Sequence, residues 1–179
     1  MVKWRKIVWS RLISPLIKTI ELKQEPVIIV VNEFNEESAT EFSTAMSLAQ
    51  NTGQKVVPVV IDSYGGQVYS LMSMISSIKS STIPVATIVQ GKAMSCGAIL
   101  SSFGSEGLRF MDKDATMMIH DVSNFAFGKV EELKADAREA DRLNKKVYTM
   151  MARNCGKPDE YFSNLIHDKG HADWFLDAE

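Results

Sequence analysis

The sequence predicts an α/β fold built from repeated βαβ units, and three observations carry that reading. Compact apolar runs at 27–31, 56–61 and 83–89 read as buried strands, because continuous Val/Ile-rich stretches suit strands covered on both faces. Between them, apolar residues recur at helical spacing, and strands separated by helices of that length call for parallel crossovers under a helical cover. At 179 residues the chain forms one domain and buries a core without disulfide or metal staples.

In chain order, MVKWRKIVWSRLISPLIKTI places Trp4, Ile7, Val8, Leu12, Leu16 and Ile20 at near-helical spacing, with Lys3, Arg5 and Arg11 between them. Residues 1–25 are therefore expected to be an amphipathic segment set before the domain at 26–179. Arg11 and Lys18 interrupt its apolar run and no small-residue cleavage site follows, so neither a signal peptide nor a membrane span is expected. Such a stripe packs on its own domain or on a neighbouring subunit, and a membrane surface is the alternative. Asn35 before Glu36 and Glu37 is an N-cap signal. The helix that follows carries Phe42, Ala45, Met46 and Ala49 on one face and stops by Gly53. Pro58 in VVPVVI marks an irregularity or an edge. After the SYGG turn, Val68, Leu71, Met72, Ile75 and Ile78 form a second helical face, and IPVATIV is the third strand. Beyond residue 105 the short runs LRFM and ATMMIH read as strands. Residues 129–154 then read as one helix about 39 Å long, with Val130, Leu133, Ala137, Ala140, Leu143, Val147 and Met151 as its stripe. A helix longer than its own core buries that stripe against another subunit, so an oligomer is expected.

Twenty Lys and Arg against 22 Asp and Glu leave no field that argues for nucleic acid as a partner. Cys96 and Cys155 are far apart and form no CxxC. Neither a disulfide framework nor a zinc site is expected, and a reducing compartment, the cytoplasm, is the default.

GKAMSCGAIL, residues 91–100, sets Ser95 and Cys96 where an apolar strand ends and a small-residue helix begins. Sites in open α/β sheets lie at that carboxyl edge, and free N–H groups there stabilise an anion such as an acyl-transfer oxyanion. In SYGG, Gly65 and Gly66 permit a backbone that aims further N–H groups at the same cleft, although such a pair also makes ordinary turns. A serine nucleophile needs a base. His120 closes ATMMIH, either as that base or as a satisfied structural histidine. His167 and His171 are spaced like an i, i+4 metal pair, but Gly170 interrupts them and no third ligand is evident, so no metal is expected.

From about residue 26 onward the chain resembles the ClpP peptidase family, serine proteases with a crotonase-like fold. SYGGQV resembles the family's SPGG turn, GKAMSCGA its GxAxSxGA nucleophile segment, MMIH its histidine strand, and DWFLDAE the start of its DRFLSxxEA segment. The four patches stand in the family's order, His120 lies 25 residues after Ser95, and the long helix falls at the family's handle position. The resemblance implies a ClpP/crotonase-like fold of βαβ units with a protruding handle helix. It makes Ser95 the nucleophile, His120 the general base and Asp173 the residue that orients it, with Asp168 the alternative third member. Gly66 and Cys96 would supply the two oxyanion N–H groups, so that Cys96 serves through its backbone and not its thiol.

The resemblance further implies an ATP-independent serine endopeptidase core without cofactor, acting on peptides. With an AAA+ unfoldase, it would also act on unfolded proteins inside two stacked, usually heptameric, rings. Two alternatives stand beside it: a catalytically silent ring subunit, and a crotonase-type acyl-CoA enzyme, which shares the two-N–H device but needs no Ser, His and Asp together. The chain departs from the family pattern at Tyr64, where proline is usual, at Cys96, where methionine is common, and at Asp121-Val122, where Gln-Pro is usual. Its first twenty residues do not resemble the axial-gate segment. The family's pattern continues through a closing strand, so the domain is expected to be cut short at Glu179.

Overall fold

In the computed structural model, residues 5–6, 24–123 and 127–178 are described. The order of elements is β1 (Arg5–Lys6), β2 (Ile29–Val31), α1 (Glu36–Ala49), β3 (Val57–Ser63), α2 (Val68–Lys79), β4 (Val85–Met94), α3 (Cys96–Ser101), β5 (Arg109–Met111), β6 (Thr116–Ile119), α4 (Val130–Asn154), α5 (Tyr161–Asp168) and β7 (Trp174–Leu176). Of the amphipathic segment expected at 1–25, Arg5–Lys6 pair as a strand with Phe110 and Met111 in place of the expected helical turn. Residues 1–4 and 7–23 lie outside the described residues.

The strands form one sheet in the order β1-β5-β4-β3-β2, with every pair parallel except β6 with β7. The backbone groups of β4 find partners on both sides, as buried strand groups must. One edge pairs with β3; the other pairs first with β5, from Thr87 to Val89, and then with β6, from Lys92 to Met94. The change of partner falls at Gly91, whose φ of 79° bends the strand in a conformation that costs glycine little. The third strand thus runs five residues beyond the 83–89 read from the apolar pattern, because in the added stretch QGKAM only Ala93 is buried, and Gln90, Gly91 and Lys92 break the apolar run. Pro58 sits inside the sheet and not on its edge; β2 begins to pair only at Val59, so the missing N–H falls outside that ladder.

Helix α1 starts at Asn35, whose side chain accepts the Ser38 N–H at 2.8 Å while Ser38 Oγ accepts the Asn35 N–H at 3.0 Å. It buries Ala39, Phe42, Met46 and Ala49. These pack with Leu71, Met74, Ile75 and Ile78 of α2 and with Val57, Val59 and Ile61 of β3 in the main core. The opposite face of the sheet carries a smaller cluster of Val60, Ala86, Ile88 and Phe110, which no described helix joins. The expectation of helices over the whole sheet is therefore corrected: among the described residues they lie on one side. Helix α4 buries Leu143, Val147, Tyr148, Met151 and Ala152 in its second half, whereas Val130 and Leu133 are 65% and 38% exposed. Tyr69 of α2 donates to Glu139 at 2.5 Å and Arg142 donates to the same carboxylate through two nitrogens at 2.7 Å, tethering the exposed half. No described helix is long and apolar enough to cross a membrane.

Cap and core make separable contributions. Asn35→Ala is expected to lower the unfolding free energy by about 1 kcal/mol, and Phe42→Ala by about 3–5 kcal/mol, both read from urea midpoints at unchanged m-value. Equal effects would contradict the packing described here.

Candidate active site

Ser95, His120 and Asp173 each stand one residue outside the end of a strand, following β4, following β6 and preceding β7. Parallel pairing sets Met94 beside Met118, and antiparallel pairing sets Ile119 beside Trp174. Ser95 follows Met94, and His120 and Asp173 stand one step past the Ile119–Trp174 pair, so all three lie at the same edge of the sheet. The Ser95 N–H donates to the Met118 carbonyl at 2.9 Å and the Ser95 carbonyl accepts the Ile99 N–H at 3.2 Å. These bonds hold Ser95 at φ 52° and ψ −117°, between strand and helix, a conformation that costs a non-glycine residue about 1–3 kcal/mol. His120 Nδ1 lies 3.7 Å from Asp173 Oδ1, an ion-pair separation longer than a hydrogen bond. Asp168, the alternative partner, ends α5 with its exposed carboxylate 3.8 Å from His167.

The glycine turn packs directly on Ser95. A Cβ on Gly65 would fall 2.8 Å from Ser95 Cβ, and one on Gly66 would fall 2.4 Å from the Phe34 carbonyl oxygen at a φ of 146°. Only glycine fits at Gly66. The Gly65 N–H donates to Ser63 Oγ at 3.0 Å and the Gln67 N–H to the Phe34 carbonyl at 2.7 Å. Between them, the Gly66 N–H has no partner among the described residues. From the other side, the Cys96 thiol donates to the Gly66 carbonyl at 3.3 Å. Tyr64, 78% exposed, precedes the glycines, with the Lys92 ammonium 4.5 Å from its ring centroid and paired to Asp62 at 2.7 Å.

Cys96 opens α3 and is buried, and burial pushes its thiol from 9 up to about 11. The neighbouring residue with the more familiar nucleophile chemistry, the thiol, is thus held protonated at neutral pH. The His167 and His171 rings meet edge to face at 5.7 Å, and His171 Nδ1 is engaged by Asp121 at 2.6 Å. Among the described residues no group of three or more His, Cys, Asp or Glu is arranged to hold a metal ion. Asp121 also accepts the Tyr148 hydroxyl at 3.0 Å; burial, then the charge of Asp121, raises that phenol well above its ordinary range. Only a tyrosine on the buried stretch of a helix, whose hydroxyl needs a partner, could have signalled this contact beforehand.

A sequence profile described as Clp protease matches residues 16–179. The chain belongs to the Clp protease family. Members of this family are serine peptidases that generally assemble into rings and work with AAA+ unfoldases, and the mixed α/β architecture agrees with their fold.

The Cys96 environment has a direct consequence. A proton held up to about pH 11 in the fold and released near 9 in the unfolded chain makes the thiolate fraction at pH 8 roughly a hundredfold lower in the folded protein. Iodoacetamide at pH 8 should leave Cys96 unmodified in the native protein and modify it rapidly in urea. The stabilisation tied to this thiol is complete below pH 9 and is lost as pH rises from 9 toward 11. Rapid native alkylation of Cys96 at pH 8 would contradict this account.

Proposed function

We propose that the chain is an ATP-independent serine endopeptidase core that hydrolyses peptides, and that with an AAA+ unfoldase it degrades unfolded proteins inside a ring-shaped chamber. The observation that supports this most is the shared strand register at the edge carrying Ser95, His120 and Asp173. On this reading Ser95 Oγ bonds to the scissile carbonyl carbon while His120 takes its proton, and the carbonyl electron pair moves onto oxygen. The resulting oxyanion accepts hydrogen bonds from the N–H groups of Gly66 and Cys96. Asp173 orients His120 and stabilises its imidazolium. When the C–N bond breaks, His120 returns the proton to the leaving amine. Water, deprotonated by His120, then attacks the acyl ester and frees Ser95. The scheme calls on no metal and no cofactor.

The same reading places copies of the chain in two stacked heptameric rings, with α4 interleaved at the ring interface, in the cytoplasm. Two free cysteines fit a reducing compartment. A second reading, a catalytically silent ring subunit, draws on the 3.7 Å separation of His120 and Asp173, although catalytic hydrogen bonds are often long before substrate binds.

Ser95→Ala should reduce peptide turnover at least about 10³-fold while the assembled mass persists by native mass spectrometry. A fluorophosphonate should modify Ser95 in the wild type and fail to do so in His120→Ala. Substantial turnover by Ser95→Ala would sink the peptidase reading. A folded, assembled wild type that neither labels nor cleaves would select the silent subunit.

A further inference from the structure

Both oxygens of the Asp121 carboxylate, one residue after His120, are engaged. The Tyr148 hydroxyl donates to Oδ1 at 3.0 Å, and the His171 ring meets Oδ2 through Nδ1 at 2.6 Å. A carboxylate only accepts, so Nδ1 of His171 carries the proton. Tyr148 is 2% exposed, which leaves its hydroxyl dependent on Asp121. One turn earlier on α4, Asn144 Oδ1 accepts the Val122 N–H at 2.6 Å. Asn144 and Tyr148 are four residues apart and share one helix face, so residues 121–122 are fixed to α4 at two points.

On the other side, His171 stands two residues before Asp173 and holds a left-handed φ of 60°. Strand β7 is three residues long and is joined to β6 by three residue pairs, with Asp173 just beyond the last of them. The Asp121–His171 contact therefore bridges the same two strand ends as His120 and Asp173, one step farther out. Across a 3.7 Å separation, a displacement of less than 1 Å decides whether His120 and Asp173 share a hydrogen bond.

We propose that Asp121 and His171 form a positioning pair that sets the approach of Asp173 to His120, with Tyr148 anchoring Asp121 to α4. The proposal rests on the reading of Ser95, His120 and Asp173 as a catalytic triad. Asp121 is one of the positions where the chain departs from the Gln-Pro usual in the family it resembles.

Two substitutions separate positioning from simple structural support. His171→Gly removes the ring while suiting the left-handed backbone. His171→Asn keeps a residue that tolerates that backbone and offers an N–H to Asp121. Each is made in the full chain and compared with wild type and Asp173→Asn on a small fluorogenic peptide, with thermal midpoints recorded alongside. In His171→Gly, kcat should fall about tenfold or more with KM within about twofold and the midpoint unchanged. His171→Asn should return kcat to within about threefold of wild type. Wild-type kcat in His171→Gly, beside an Asp173→Asn variant that has lost turnover, overturns the pair and leaves the triad standing. A loss in His171→Gly that His171→Asn fails to restore overturns the pair as well, since the ring would then act other than by donating to Asp121. Wild-type turnover by Asp173→Asn overturns the triad reading and the pair together, as does a wild type without turnover.

Discussion

Strand β4 has more backbone to satisfy on one edge than any single neighbour supplies, and the rest of the site depends on how the chain meets that demand. Strand β5 takes the donors and acceptors of Thr87–Val89, and β6 takes those of Lys92–Met94 after the bend at Gly91. Because β6 enters late and runs parallel to β4, its carboxyl end arrives at the sheet edge in step with Ser95. Because β7 is antiparallel to β6, it begins at that same edge. A serine, a histidine and an aspartate separated by 25 and 53 residues are thereby brought to three neighbouring strand ends by backbone pairing alone.

The same junction gives two adjacent residues opposite roles. Ser95 is still outside the helix, held in a strained conformation by one bond to β6 and one to α3, beside the glycine turn. Cys96, one residue on, is the first of α3 and turns into the core, where its thiol is kept neutral and donates to the Gly66 carbonyl. The more nucleophilic atom is therefore withdrawn from reaction, and Ser95, the nucleophile of the proposed triad, is left at the sheet edge beside the glycine turn. A methionine, common at this position in the family, has no such donor, so the thiol adds a tie to the glycine turn that methionine would not make.

Helices α1, α2 and α4 were legible because apolar spacing and the Asn35 cap are local properties of the chain. Helix α5 was not, since eight residues with Phe162, Leu165 and Ile166 give too little periodicity to separate from a loop. The full length of β4 was hidden for a different reason: Gln90 and Gly91 are exposed, Lys92 is only half-buried, and the three break the apolar run. At the site, the order of motifs picked out Ser95, His120 and Asp173, but their register depends on which strands pair, a tertiary fact. The Tyr148–Asp121–His171 contacts, 27 and 50 residues apart, could be seen only after folding had set α4 and β7 on either side of Asp121.

Helix α4 divides in the middle of its stripe. Leu143, Val147 and Met151 complete the core, and their burial fixes the second half. The first half has the exposed pairs Glu131 with Lys134 and Glu139 with Arg142, and the contact from Tyr69. Surface pairs of this kind contribute about 0–1 kcal/mol each, and a few unsupported helical turns are marginal in water. The protruding turns therefore persist mainly by propagation from the docked half, and they carry Val130 and Leu133 as apolar surface that the core of the described residues does not reach. In the proposed ring a second molecule would cover that surface, and it would load α4 at the end opposite Asn144 and Tyr148, the two residues that hold the segment following His120.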